Sequence, residues 1–369
     1  SSIMEIDLLT DNIKNMVNSL RFSFIKLKES QDKLYRQAYY DSLTNLPNRL
    51  FFKKYLKDEI KDCENSICVM FMDLNRFKTI NDTMGHDIGD KLLVLVAERL
   101  KSLQDEKHHI FRLGGDEFVI VSKVNSIEEI KNDGIRAVEI FKEKFILEDK
   151  FSVKITGSIG ASIYPQDGTD IDKIIKYADI AMYESKCNGG NSLYLFNDTL
   201  KKEFYEKATI EKEVKNAIEN SELYLEYQPQ VSAKDGKIRG VEALLRWKND
   251  RLGIVPPDKF IPIAEESEVI LEIDKWVISE VCKVIRMLQD EGYNNITISA
   301  NVSAKHFVND DILDLVLGCI NKNNIDPKLL KIEITESTLV KNVSTVKRIL
   351  ERFKEIGIRT SMDDFGKGY

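Results

Sequence analysis

The sequence lacks any run of about 18 apolar residues, the length that a helix needs to cross a bilayer. It also lacks paired cysteines: its five cysteines are scattered, with no CxxC pair and no histidine at zinc-ligand spacing. An odd, scattered set is typical of reduced thiols in the cytosol. The sequence therefore predicts a cytoplasmic chain without a membrane segment, a disulfide framework or a zinc site.

Both ends of the chain lack the marks of a complete protein. The sequence opens with Ser1-Ser2, without an initiator methionine or a signal-peptide pattern, and it ends on Tyr369 inside a motif. We expect a segment of a longer parent, and the sequence leaves open whether a preceding region anchors that parent in a membrane.

An excess of positive charge is also absent, since the formal net charge is −7. This argues against a surface that binds duplex DNA through its phosphates. It does not argue against a mononucleotide site, which needs only local positive groups or metal ions. A chain of 369 residues is long enough for two or three domains.

Residues 5–38 have the pattern of one long helix without glycine or proline. Apolar residues recur at steps of three and four, or at a whole heptad where Ser23 and Ser30 interrupt. These positions are Ile6, Leu9, Ile13, Met16, Leu20, Leu27 and Leu34. The pattern favours a parallel coiled coil and hence a homodimer, and we assign residues 1–38 to it. An amphipathic helix packed on its own domain is the alternative.

Two α/β regions follow the helix. In residues 39–198, strands and helices alternate as in an α/β sandwich with a single sheet, and a hairpin turns at Gly114-Gly115. In residues 199–369, the pattern is that of a β/α barrel. Its strands are predicted at 223–231, 237–247, 296–302, 330–335 and 358–363. A closed barrel needs eight strands, so this one is expected to be incomplete.

Carboxylates mark one edge of the first predicted sheet. Asp73 ends an apolar strand, and Asp116-Glu117 follows the Gly-Gly turn. If these strands are neighbours, the carboxylates converge, and burying like charges together requires a cation. Oxygen ligands without histidine or cysteine favour Mg²⁺ or Mn²⁺. An exposed acidic hairpin tip is the alternative interpretation.

The sequence of the first region resembles the sequences of the GGDEF domain family. The matching segments are DSLTNLPNR at 41–49, DLNRFKTIND at 73–82, GHDIGD at 85–90, GGDEF at 114–118, SIG at 158–160 and ADIAMY at 178–183. The resemblance implies a nucleotide-cyclase-like α/β sandwich and a diguanylate cyclase. Such an enzyme condenses two GTP to cyclic di-GMP and pyrophosphate with divalent metals, and it works as a homodimer because each active site joins GTP molecules held by facing subunits.

The same resemblance implies roles for individual residues. Asp73, Asp116 and Glu117 would hold the metals and carry the catalysis, while Asn81 and Asp90 would bind guanine. Lys186 would contact the triphosphate, and Gly114 and Gly115 would let the backbone approach the phosphates.

Two positions depart from the GGDEF pattern. Gly190 stands where the family commonly has a phosphate-binding arginine. The RxxD motif that many such cyclases use for product inhibition is replaced by Asp105, Glu106, Lys107 and His108. We therefore expect little product inhibition. A catalytically weak GTP-binding module that regulates the second domain is the alternative function.

The second region resembles the EAL phosphodiesterase family, in a truncated form. The matching segments are GVEALLRW at 240–247, NVS at 301–303, EITE at 333–336 and DDFG at 363–366. The resemblance implies that a metal-bound water opens cyclic di-GMP to the linear dinucleotide. It assigns metal ligation to Glu242, Asn301, Glu333, Asp363 and Asp364, and substrate contacts to Gln228 and Arg246.

Two EAL expectations are less direct. Glu336 could be catalytic or could make a structural hydrogen bond. Because the family's later lysine, glutamate and glutamine positions would follow Tyr369, we expect this chain not to hydrolyse cyclic di-GMP, although the parent would.

Overall fold

A computed structural model describes residues 2–61, 66–147, 151–307, 311–335 and 343–363. The chain divides into two units, Ser1–Phe204 and Tyr205–Tyr369. The division falls inside a helix, Asp198–Val214, rather than in an irregular linker.

The first unit contains a five-stranded sheet in the order β2-β3-β1-β6-β7. Its elements are α1 (Ser2–Tyr39), α2 (Arg49–Lys61), β1 (Ser66–Leu74), α3 (Phe77–Met84), α4 (His86–Lys101), β2 (His108–Gly114), β3 (Glu117–Val124), α5 (Ile127–Glu139), β4 (Phe145–Leu147), β5 (Phe151–Val153), β6 (Gly157–Tyr164), α6 (Ile171–Cys187), β7 (Leu193–Leu195) and the start of α7 (Asp198–Val214). Strand β1 lies at the centre and pairs antiparallel with β3 and β6. The predicted α/β sandwich is confirmed, but the prediction of a single sheet is wrong, because β4 and β5 pair with each other in a separate two-stranded sheet.

The apolar run of β1 is explained by burial on both faces of the sheet. Alternate side chains of a strand point to opposite faces. Cys68, Met70 and Met72 accordingly enter one hydrophobic cluster, and Val69 and Phe71 enter the other. Helices cover both faces, so the residues from Ile67 to Met72 are all apolar or cysteine, and the first charged side chain is that of Asp73.

Helix α1 exposes the apolar positions of its heptad pattern. Met16 is 66% exposed, Leu20 61%, Leu27 57% and Leu34 63%. Over this stretch the alternative interpretation, a helix whose apolar stripe packs on its own domain, is therefore wrong. The exposed stripe agrees with the predicted coiled coil, whose partner chain stays a prediction.

The second unit is built on parallel strands with intervening helices. Its elements are β8 (Leu223–Val231), β9 (Ile238–Asn249), β10 (Gly253–Val255), α8 (Pro257–Glu266), α9 (Ile270–Asp290), β11 (Thr297–Asn301), α10 (Asp311–Asn323), β12 (Leu330–Thr335), α11 (Val343–Ile356) and β13 (Arg359–Asp363). Strands β9, β11, β12 and β13 run parallel in this order, and β8 pairs antiparallel with β9. The β/α alternation predicted from the sequence is confirmed.

Two details of this unit differ from the sequence prediction. The sequence has helical spacing near 257–289, which predicts one helix, but the chain forms two, α8 and α9. Glu268 between them adopts a left-handed φ of 64°, which ends the helical path. The structure also adds a short strand, β10, that pairs antiparallel with the end of β9.

Candidate functional site

The carboxylates of the first unit meet at one end of the central strands. Asp73 on β1 lies directly opposite Glu117 on β3 in the antiparallel register. Asp116 precedes Glu117 in the turn after β2, which passes through Gly114 (φ 144°) and Gly115 (φ 52°). Both are conformations that side chains other than glycine rarely adopt. The strands that carry Asp73 and Glu117 are therefore neighbours, which is the condition for these carboxylates to converge.

Two cations lie against this group of carboxylates. The Nζ atom of Lys186, in the last turn of α6, lies 2.7 Å from Oδ1 of Asp73. The Nη2 atom of Arg49, at the start of α2, lies 3.7 Å from Oε2 of Glu117. The Asp73 side chain is only 14% exposed, so its partner compensates a largely buried charge.

The pKa values show how strongly the like charges act on one another. Burial raises the pKa of Asp73, Lys186 opposes this through a hydrogen bond, and Asp116 raises it further. Burial likewise raises the pKa of Glu117, which Arg49 lowers and the surrounding carboxylates raise. Positive charge near Asp73 and Glu117 therefore opposes the rise in their pKa values and favours their ionised forms.

Asp179 is a fourth carboxylate, which the sequence analysis did not assign. Desolvation raises its pKa, and Lys186 lowers it. Asp179 precedes Lys186 by two helical turns on α6, so both belong to the same face of that helix. This spacing was a sequence signal that could have identified it.

The donor set suits a hard divalent cation. It consists of carboxylate oxygens, which Mg²⁺ and Mn²⁺ prefer. The ammonium of Lys186 supplies the positive charge beside Asp73 in this structure. Within the described ranges, no three acidic, histidine or cysteine side chains are arranged to hold a metal ion. The metal assignment of Asp73, Asp116 and Glu117 therefore stays a prediction.

A buried arginine, Arg112 on β2, supports the turn before Asp116. Its Nε and Nη2 atoms donate to the carbonyl oxygen of Gly115 at 3.1 and 2.7 Å, and Nη1 donates to Oδ1 of Asp41 at 2.6 Å. Asp41 also accepts hydrogen bonds from the backbone and the hydroxyl of Thr44. Sequence reasoning missed Arg112 because its charged partner, Asp41, lies 71 residues from it along the chain.

Asn81 and Asp90, the predicted guanine contacts, lie on the successive helices α3 and α4. The Oδ1 atom of Asn81 is buried and accepts no hydrogen bond from the described part of the chain. Gly89 makes room for it, since a Cβ at residue 89 would come 1.8 Å from this oxygen. An unpaired buried acceptor is costly unless a ligand satisfies it. Asp90 is exposed and lines a cavity of about 530 Å³.

Gly190 adopts a left-handed conformation with φ 71°. A Cβ there would lie 2.4 Å from Nδ2 of Asn75, which donates to Oγ1 of Thr156, while Oδ1 of Asn75 accepts from Ser158. The structure thus fills the space beside residue 190 with a polar network and leaves no room for an arginine stem.

The residues in place of the RxxD motif bind one another. Nδ1 of His108 lies 2.7 Å from Oδ1 of Asp105, and Nε2 lies 3.0 Å from Oδ2 of Asp133 on α5. The hydrogen bond to His108 lowers the pKa of Asp105 to about 2. The side chains at both ends of the replaced motif are therefore engaged within the chain.

The second unit collects its predicted ligands on neighbouring strands. Asn301 on β11 pairs in register with Glu333 on β12, and its Nδ2 atom donates to Oε1 of Glu242 on β9 at 2.9 Å. Asp363, the last residue of β13, pairs with Thr335, two residues beyond Glu333. Asn301 and Asp363 end parallel strands, the position at which barrel enzymes hold their chemistry. Asp364 and Glu336 lie outside the described residues.

One of these predicted ligands, Glu333, also forms an ion pair with a lysine. The Nζ atom of Lys331 lies 2.7 Å from Oε1 of Glu333, which is 6% exposed and also accepts a hydrogen bond from Ser361. The oxygen donors suit a divalent cation here too, and a protein cation again compensates a buried carboxylate.

The predicted substrate contacts lie on β8 and β9. Gln228 is exposed directly opposite Glu242 in the register, and Arg246 donates from Nε to Oε2 of Glu226 at 2.7 Å. Arg246 lines a cavity of about 230 Å³ together with Asn301 and Glu333. The substrate roles themselves stay predictions.

Sequence reasoning missed a buried group beside this cavity. Asp274 on α9 is 4% exposed and accepts the backbone N–H of Ser303 at 3.0 Å, while Oγ of Ser303 donates to Oε1 of Glu265 at 2.8 Å. Burial raises the pKa of Asp274 to about 7. This group anchors the segment that follows Asn301.

Among the described residues, no helix combines the length and the apolar character that a bilayer crossing requires.

Comparisons with known proteins support two successive domains. The family model "Diguanylate cyclase, GGDEF domain" matches residues 38–192, and the model "EAL domain" matches residues 211–369.

Curated relatives align with nearly the whole chain. Signaling protein YkoW of Bacillus subtilis is 38% identical over 350 residues, which are 93% of this chain and 43% of that protein. The bifunctional diguanylate cyclase/cyclic di-GMP phosphodiesterase MucR of Pseudomonas aeruginosa is 34% identical over 346 residues, 93% of this chain and 50% of that protein. The chain thus spans about half the length of these relatives.

A solved structure shares the fold. The S helix-GGDEF-EAL structure of Vibrio cholerae LapD, bound to c-di-GMP, matches with a TM-score of 0.54 at 18% sequence identity. The match covers 94% of this chain and 81% of that one. At this identity the likeness shows the fold alone.

Proposed function

This chain is a GGDEF–EAL tandem protein of cyclic di-GMP signalling, and on that premise we propose that its first unit is a diguanylate cyclase. The enzyme would condense two GTP to cyclic di-GMP and release pyrophosphate. The observation that carries the proposal is the pairing of Asp73 with Glu117, beside Asp116 and under the ammonium of Lys186.

The proposed roles of the carboxylates are those that the resemblance to the GGDEF family implies. Asp73 and Asp116 hold Mg²⁺ or Mn²⁺, and Glu117 completes the metal site or accepts the proton of the attacking 3′-hydroxyl. The bound metals would supply activation of that hydroxyl and stabilisation of the leaving pyrophosphate. Arg112 fixes the carbonyl of Gly115 and thereby the backbone that enters Asp116.

GTP is proposed to bind through contacts at both of its ends. The unpaired Oδ1 of Asn81 accepts a guanine N–H, and the Asp90 carboxylate accepts another, which selects guanine over adenine. Lys186 contacts the triphosphate, and the backbone at Gly114 and Gly115 approaches it closely.

We propose a homodimer through helix α1, because two facing sites must each bring one GTP. The exposed apolar side chains of Met16, Leu20, Leu27 and Leu34 would form the seam of a parallel coiled coil. We place the protein in the cytoplasm, where GTP is available.

The second unit is proposed to be a cyclic di-GMP phosphodiesterase domain. Glu242, Asn301, Glu333 and Asp363 would ligate divalent metal, with Asp364 as a further ligand, and Gln228 and Arg246 would contact substrate. The supporting observation is the run of Glu242, Asn301 and Glu333 across three adjacent strands. The expectation that this chain leaves cyclic di-GMP intact stays a prediction. Linear dinucleotide made by this chain but not by a Glu242→Ala variant contradicts it.

A second candidate function for the first unit is GTP binding that regulates the second. Gly190 favours it, because a missing charge-assisted phosphate contact is worth about 1.5–3 kcal/mol. In this case the unit binds GTP without turning it over.

One incubation separates the two candidates. The full chain is mixed with GTP and Mg²⁺ or Mn²⁺, an Asp116→Ala variant runs beside it, and the products are separated by chromatography. Cyclic di-GMP from the chain but not from the variant supports the cyclase. GTP binding without product supports the regulatory module, and absence of both rejects the two proposals together.

A further inference from the structure

The ion pair between Lys186 and Asp73 has a consequence for the order in which ligands bind. Lys186 Nζ lies 2.7 Å from Asp73 Oδ1, which is hydrogen-bonding distance for an ammonium and a carboxylate. Divalent metals such as Mg²⁺ bind carboxylate oxygens at about 2.1 Å. An ammonium and a dication on the same oxygen would repel each other at close range, so the two are mutually exclusive in this geometry.

Lys186 can leave Asp73 without disturbing the fold. Its side chain is 36% exposed, and it stands in the last turn of α6, one residue before the helix ends. A lysine ammonium on a four-carbon stem can turn toward a new anionic partner. Gly189 and Gly190 follow the end of this helix, and Gly190 lies against Asn75. Position 190, where the family commonly has an arginine, therefore supplies no second cation to the site.

The charge around Asp73 makes its partner indispensable. Glu117 lies directly opposite Asp73 in the strand register, and Asp116 and Asp179 are close enough to repel its charge, which leaves Asp73 in a field of like charge. When Lys186 leaves, Asp73 needs another cation, and Lys186 in turn needs another anion. A divalent metal meets the first need, and a nucleoside triphosphate meets the second.

We propose that Lys186 acts as a switch between these partners: it neutralises Asp73 in the protein without metal, and it transfers to the triphosphate when metal takes its place. Metal and nucleotide then each strengthen the binding of the other. This effect adds to the one that arises from direct contact between the metal and the phosphates. The coupling is reciprocal, because a nucleotide that captures Lys186 also frees Asp73 for metal. The nucleotide part of this inference rests on the proposed function of the first unit; the competition at Asp73 does not.

The competition is tested with Mn²⁺ alone. In every titration the full chain also carries Glu242→Ala and Glu333→Ala, which remove two proposed metal ligands of the second unit. Free Mn²⁺ is followed by its electron paramagnetic resonance signal, without nucleotide. A Lys186→Met variant is expected to bind Mn²⁺ about tenfold more tightly than the wild type. Lys173→Met is the control, because it removes the same charge from an exposed position on the same helix. Asp73→Asn is expected to lose the binding in either background.

Equal or weaker Mn²⁺ binding by Lys186→Met, relative to Lys173→Met, overturns the proposal, as does Mn²⁺ binding that Asp73→Asn leaves unchanged in this background. The second arm measures binding of a non-hydrolysable guanosine triphosphate with and without Mn²⁺. The enhancement by Mn²⁺ is expected to be several-fold smaller in Lys186→Met than in the control, and an unchanged enhancement rejects the switch. If no variant binds the nucleotide, the proposed function fails, while the Mn²⁺ arm still decides the competition at Asp73.

Discussion

Gly190 and Asn75 lie so close together that a Cβ on residue 190 would come within 2.4 Å of the Asn75 amide nitrogen. The position at which related cyclases commonly carry an arginine is thus occupied by a left-handed glycine and a neighbouring amide network. Restoring the family residue at 190 is therefore a test of packing as much as of phosphate binding.

We expect Gly190→Arg to lower the stability of the first unit without restoring strong GTP binding. A side chain in the left-handed conformation costs about 1–2 kcal/mol, and Asn75 must also move. Urea unfolding with Gly190→Ala and Gly168→Ala as companions measures the cost, because residue 168 has no positive φ and only ordinary contacts. A Gly190→Arg protein as stable as the wild type would show that the network yields easily.

Gly89→Ala is expected to weaken GTP binding about tenfold, because the added methyl displaces the Asn81 amide and removes a hydrogen bond worth about 1–1.5 kcal/mol. Alanine favours the helix more than glycine does, so helix α4 should not unfold. Calorimetric titration with GTP checks this, and Gly318→Ala on α10, with open space around it, serves as the control. Unchanged affinity would remove Asn81 from the guanine site.

Cyclase activity of this chain is expected to show little inhibition by micromolar cyclic di-GMP. The positions of the RxxD motif carry Asp105 and His108, which bind each other, and His108 also contacts Asp133. Initial rates with increasing cyclic di-GMP measure this, and a sharp fall in rate contradicts the prediction. An Asp105→Arg, His108→Asp double variant, which rebuilds the motif, is expected to gain inhibition.

The Asp274 carboxyl is expected to make the second unit less stable as pH rises from about 4 to about 7. In the folded protein its pKa is about 7, so the carboxyl stays protonated between pH 4 and pH 7. In the unfolded chain the same carboxyl ionises near pH 4. The unfolded state then binds fewer protons, and stability falls by at most about 1.4 kcal/mol per pH unit until the folded group also ionises.

An Asp274→Asn variant keeps an acceptor for the Ser303 N–H and lacks this titration, so it should gain stability over the wild type as pH rises through that range. Denaturant unfolding at pH 5 and pH 8 measures the difference. Asp314→Asn, at an exposed site on α10, is the control. A difference between wild type and Asp274→Asn that does not change with pH would show that Asp274 is ionised in the folded protein.

The sequence by itself determined the domain types, the alternation of strands and helices, and the candidate residues of both sites. It could do so because β1 is apolar up to Asp73, because the Gly114-Gly115 turn requires positive φ, and because the ligands of the second unit follow strand patterns. Such signals are local: a few adjacent residues carry each of them.

The tertiary structure alone decided which of these residues touch and which residues support them. Arg112 and Asp41 are 71 residues apart in the chain but form an ion pair. Lys186 on helix α6 likewise forms an ion pair with Asp73 on strand β1. Asp274 meets Ser303 in the same way. A long-range contact depends on how separate elements pack, and no local pattern records that packing, so these partners could be found only in the folded chain.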